Sequence, residues 1–125
     1  MSATADLSPT VVNLKAARGD TWRLRLRFYD ANPDGTPNLD APTDLSGADY
    51  TAQVRVRDTG ALFAAATVDD LEAATGQLDV VVAYDDTTTA PLGKSLAYDV
   101  QQDTGTERHT IVTGTVRVVA DWTQD

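Results

Sequence analysis

Polar and apolar positions alternate most cleanly between Asp20 and Tyr29, where Trp22, Leu24, Leu26 and Phe28 interleave with Arg23, Arg25, Arg27 and Tyr29. A period of two puts the first set on one face of a strand and the arginines on the other. Tyr50 to Arg57 repeats the arrangement, with Tyr50, Ala52, Val54 and Val56 facing in and Gln53, Arg55 and Arg57 facing out. Should these two strands be neighbours, their arginines form one basic stripe. Leu62 to Val68 is alanine-rich and compatible with a strand or a short helix; the turn signals Asp58-Thr59-Gly60 and Thr75-Gly76 on either side favour a strand. Gln77 to Tyr84 carries Leu78, Val80, Val82 and Tyr84 on one face, and Ser95 to Gln101 carries Leu96, Tyr98 and Val100. Between them, Asp85 to Ala90 offers a capping signal for one helical turn.

Asp103-Thr104-Gly105-Thr106 predicts a hairpin turn into a last strand from about Arg108 to Ala120, with Val112, Val116, Val118 and Ala120 on one face and Trp122 extending the row. Gly114, in mid-strand, predicts a bulge or a close approach of another backbone. Asp30 to Asp49, rich in Asp, Asn, Pro and Gly, reads as a long loop with a turn near Asp44-Leu45-Ser46-Gly47. Long loops in small domains serve function or interfaces more often than short ones, although a solvated connection is as good a reading here. About seven antiparallel strands at short spacing predict an all-β sandwich. Residues 1–10 read as a flexible arm and residues 11–125 as one domain.

Charge changes this picture more than composition does. Nineteen acidic against ten basic side chains leave a net charge of −9 in 125 residues. Such a surface repels nucleic-acid phosphate, so no nucleic-acid partner is expected. The absence of cysteine removes disulfides and thiolate metal sites. No apolar run approaches the ~20 residues of a membrane span, so no membrane partner is expected. The N-terminus has neither the basic start nor the apolar stretch of a secretory signal.

Catalytic chemistry finds few materials. His109, the one histidine, lies beside Arg108 at the start of the last strand and reads as an exposed strand residue rather than a general base. There is no nucleophile elbow and no glycine-rich phosphate loop. Asp30, Asn32, Asp34 and Gly35 match the opening of a calcium loop, but Ala41 stands where a bidentate glutamate should close it. A polar turn after a strand is the better reading, and no cofactor is expected. Trp22 and Trp122 raise the possibility of stacking on sugar; the parity of Trp22 with Leu24 and Leu26 favours the core instead.

Several segments, taken in order, resemble a family of small bacteriophage virion domains: Arg18-Gly19-Asp20-Thr21, Asp44-Leu45-Ser46-Gly47, Val54-Arg55-Val56-Arg57, Tyr98-Asp99-Val100, and Gly114-Thr115-Val116-Arg117-Val118 followed by Thr123. The order holds from roughly residue 11 to residue 123. The resemblance implies an immunoglobulin-like or baseplate-upper-protein-like sandwich in a tail, baseplate, fibre or capsid-surface protein, made in the host bacterial cytoplasm and built into the virion. It brings no catalytic residues. Larger members carry the domain as an attachment module before a fibre or receptor-binding part; this chain stops after it, which points to a stand-alone adaptor or decoration protein. The expected partners are other virion structural proteins and further copies of the chain. Arg23, Arg25, Arg27, Arg55, Arg57 and Trp122 are the candidate contact residues, although the arginines serve equally well to solvate open sheet faces. The alternative is a carbohydrate- or cell-surface-binding β-sandwich module.

Overall fold

The structure, a computed structural model, describes residues 10–120. Among the described residues ten strands run in chain order: β1 (Thr10–Val11), β2 (Leu14–Ala17), β3 (Trp22–Arg27), β4 (Tyr29–Ala31), β5 (Pro37–Pro42), β6 (Asp49–Val56), β7 (Leu62–Asp69), β8 (Gln77–Val82), β9 (Gly93–Asp103) and β10 (Arg108–Val119). A 3-10 turn, Ala73–Thr75, precedes β8, and one helical turn, α1 (Tyr84–Thr87), follows it. That turn starts one residue before the capping signal: Ala83 takes the cap position without a side-chain bond, and Asp85 and Asp86 fall in the first turn.

Two layers face each other. In one, β10, β9 and β6 pair antiparallel, with β7 beyond β6; in the other, β3 pairs with β8. β7 belongs to both. Its first half pairs with β6 through Ala64 and Ala66, and its second half pairs with β8 through Thr67, Val68 and Asp69. The alanines that blurred the sequence pattern fall where the strand passes between layers, and small side chains suit that crowded corner. β1 and β2 act as one kinked strand, so the sandwich has seven core strands and immunoglobulin-like connectivity. The kinked first strand departs from the antiparallel expectation: both of its pieces run parallel to β10.

Period-two alternation fills the space between layers. Leu78, Leu96 and Val100 are fully buried, with Val112, Val116 and Val118 almost so, and Leu26, Val54, Val80 and Val82 pack among them. Residues 30–49, read as a loop, instead contain a second small sheet. β4 and β5 pair antiparallel around Asn32-Pro33-Asp34-Gly35, where Gly35 takes a positive φ of 87°. The turn residues that suggested a loop close this hairpin, and the prolines at both ends of β5 sit where a missing N–H is tolerated.

The kink between β1 and β2 explains Gly114. At Val12 the backbone turns its carbonyl inward, where the Tyr98 hydroxyl donates to it at 2.6 Å. The Val12 N–H still donates to the Thr113 carbonyl at 2.9 Å. Gly114 lies directly beneath, and a Cβ there would overlap the Val12 carbonyl. Close backbone approach is therefore the reason for this glycine. Burial pushes the Tyr98 phenol up to about 12, from an ordinary 10.0.

Two measurements test this joint. Gly114→Ala should lower stability by about 3 kcal/mol in urea unfolding, since the Val12 backbone must move; an unchanged midpoint would contradict the packing. Tyr98→Phe should cost about 1–3 kcal/mol by leaving a buried carbonyl unpaired. A raised phenol pKa stabilises the fold fully below the unfolded value and loses that contribution as pH rises from 10.0 towards about 12. The parent protein should therefore weaken over that alkaline window, and Tyr98→Phe should show a shallower decline.

Candidate docking surfaces

The outer face of the β3–β8 layer carries the first arginine group. Arg23, Arg25 and Arg27 stand in register with Val81, Asp79 and Gln77. Asp79 is 6% exposed, the one buried acid among the described residues. Arg25 grips it with two bonds, Nε to Oδ1 at 3.0 Å and a terminal nitrogen to Oδ2 at 3.1 Å, and Arg23 reaches Oδ2 at 3.4 Å. The Arg25 hydrogen bond, aided by both guanidinium charges, holds the Asp79 carboxyl below its usual range, and the same contact raises the Arg25 guanidinium. On β7, Asp69 stands opposite Asp79 and adds a second negative charge near Arg25.

The second arginine group lies elsewhere. β6 pairs with β7 and β9, not with β3, so Arg55 and Arg57 belong to the other layer and no common stripe forms. Two alternating strands far apart in sequence carry no sign of which sheet each joins. Arg55 donates to Gln53 Oε1 and to the Gly60 carbonyl, at 2.5 and 2.9 Å, and so braces the β6–β7 turn. The Arg57 N–H donates to the Ser95 carbonyl at the end of β9.

The calcium-like residues are spent on the β4–β5 hairpin. Asp34 Oδ1 accepts from the Thr36 N–H and hydroxyl, at 3.0 and 2.6 Å, which lowers its pKa. Asn32 donates to the Thr36 hydroxyl, and Asp30 accepts from Thr43, thirteen residues on. The polar-turn reading describes this geometry. Among the described residues no group of three or more His, Cys, Asp or Glu side chains could hold a metal ion.

His109 is exposed, with Nε2 3.0 Å from Glu107, beside an Arg108–Asp103 ion pair of 3.1 Å across the β9–β10 hairpin. Trp22 is half-buried: its indole N–H donates to the Ala17 carbonyl at 2.7 Å, and its ring stacks on Phe63 with centroids 6.4 Å apart. Trp122 and Thr123 lie outside the described residues, as do residues 1–9 of the expected arm; Thr10, assigned to that arm, opens β1.

The motif residues hold the scaffold at three joints. Arg18 donates through Nε to the Ala90 carbonyl at 2.7 Å, and the fully buried Thr87 donates its hydroxyl to the Asp20 carbonyl at 2.7 Å. The β2–β3 turn is thereby fastened to α1. Asp44 caps its own turn by accepting from the N–H and hydroxyl of Ser46, and buried Leu45 donates its N–H to Ala73. Gly114 admits Val12, as described above.

No protein-family model matches the chain, and no curated protein matches it. Among solved structures it is similar to a chain in the crystal structure of ICOS in complex with ICOS-L and an anti ICOS-L VNAR domain. The two are 13% identical with a TM-score of 0.43, and the match covers 89% of this chain and 56% of the other.

The carboxylates set the acid response. Asp79, Asp34, Asp44 and Asp103 all have depressed pKa values, Asp103 through the Gly105 N–H first and Arg108 second. Their stabilising contribution is complete above the unfolded value of 3.8 and is lost as pH falls through the folded values. Asp79→Asn should shrink the difference in urea midpoint between neutral pH and about pH 3. An undiminished difference would remove Asp79 from the acid response.

Proposed function

We propose that this protein is a non-enzymatic structural component of a bacteriophage virion, a small β-sandwich adaptor or decoration module that docks onto tail, baseplate or capsid. The observation that carries the reading is the ordered set of motifs from Arg18 to Val118, whose members act as joints of the scaffold. A signature made of joints suits a module whose fold recurs while its faces select neighbours. The inward engagement of Trp22 supports docking through polar faces and edges over a sugar platform. A net charge of −9 favours solubility in a component made in many copies.

Immunogold electron microscopy of phage particles, with antibody raised against this chain, tests the assignment directly. Labelling at a defined position on the particle is expected; protein found only free in lysates would overturn the reading. Because Arg25 and Arg55 lie on opposite layers, charge reversals separate the faces. Arg25→Glu or Arg55→Glu, but not both, should lower the number of copies retained on the particle. If neither variant changes particle occupancy, the arginine faces are not the contact. Light scattering of the purified protein should give the same mass with and without calcium.

A further inference from the structure

Among the described residues the sandwich is closed along one side and open along the other. β7 joins the layers on the closed side, whereas the sheet path ends at β3, which has no ladder partner beyond β8 among the described residues. The first strand could have covered that edge, but β1 and β2 both pair with β10 instead. Backbone groups in an antiparallel pair point alternately towards the partner and away from it. Phe28 donates to Gly76 in the register that pairs Leu26 with Leu78, so Leu24, Leu26 and Phe28 face β8. Arg23, Arg25 and Arg27 therefore aim their N–H and C=O groups at the open edge.

We infer that this edge receives an extended acidic segment of a partner protein as an added strand, antiparallel to β3. The ladder groups of three consecutive alternate residues supply main-chain bonds, as strand addition requires. Side-chain charge selects the occupant. The three arginines line the outer face at the edge, and the one acid paired with them, Asp79, lies a strand further in; Arg27 makes no ion pair among the described residues. A second copy of β3 is disfavoured, because in-plane self-pairing sets arginine against arginine on the same face. The charges that discourage self-pairing favour Asp or Glu at alternate positions of an incoming strand. Its other face would continue the half-buried row of Trp22 and Leu24, so apolar residues belong there. This narrows the docking reading to one edge and rests on that reading only in supposing that the protein docks.

The test uses isotope-labelled full-length protein and synthetic peptides of about eight residues. One peptide alternates Val and Glu, a second alternates Val and Lys, and a third is the first peptide N-methylated at its glutamates. Those glutamates stand opposite the arginines in an antiparallel ladder, so their N–H groups make the bonds to β3. The Val/Glu peptide should shift the resonances of Trp22 to Arg27 and slow amide exchange at Arg23, Arg25 and Arg27. The other two peptides should bind at least about tenfold more weakly, as should the parent peptide to an Arg27→Glu variant, in which the Arg25–Asp79 pair is left intact. Equal binding of the N-methylated peptide would reduce the effect to surface charge and overturn the inference. So would shifts confined to other strands, no binding, or a dimer joined through β3 without peptide. Peptide binding by a chain absent from phage particles would keep the edge and discard the virion assignment; the reverse result would keep the assignment and move the contact.

Discussion

Once the Val12 carbonyl turns into the sandwich it must find a donor, because an unpaired carbonyl in that position is expensive. Tyr98 supplies the donor from β9, and Gly114 on β10 supplies the room. Three residues from three distant segments thus commit the first strand to the β10 side along its whole length. The organisation of the opposite layer follows from that commitment. With the first strand held by β10, no described strand lies beside β3 on its outer side, and the layer as described ends on a strand whose outward side chains are arginines.

Those arginines meet two physical needs at once. Asp79 sits in mid-sheet with little access to water, and a carboxylate there is tolerable only when its charge is answered. Arg25 answers it with a two-pronged bond and Arg23 with a longer one. An exposed strand also needs protection against fusing with its equals, and a row of like charges provides it. The proposed docking through such an edge would convert the same protection into selectivity.

The strands with strong alternation were legible because a half-buried strand has little other way to order its side chains. Trp22 to Arg27 and Asp49 to Val56 follow the pattern closely, and the Gly105 turn and the need for Gly114 could also be read. The strand read from Gln77 to Tyr84 ends at Val82, and Tyr84, expected on its buried face, opens α1 and is exposed. What stayed hidden depends on which strands meet. Asp79 has outward parity in the sequence, yet its importance appears only when Arg25, fifty-four residues away, becomes its cross-strand neighbour. The separation of Arg55 from Arg25 was invisible for the same reason. The β4–β5 hairpin was missed because Pro37 and Pro42 argue against a strand anywhere but at an edge, and a small outlying sheet is all edge. Its Asp-Asn-Asp series looked like ligands because turns and calcium loops draw on the same short oxygen-bearing side chains.

The parallel pairing of the first and last strands also governs how the domain bears mechanical load. Tension applied at Thr10 and Val119 pulls β1–β2 and β10 in opposite directions along their common axis. Every bond between them is then loaded together, in shear. An antiparallel arrangement would place both pulled ends at the same edge and let the bonds open one after another, like a zip. The parallel geometry makes the contact between the two terminal strands a clamp that resists stretching along its length.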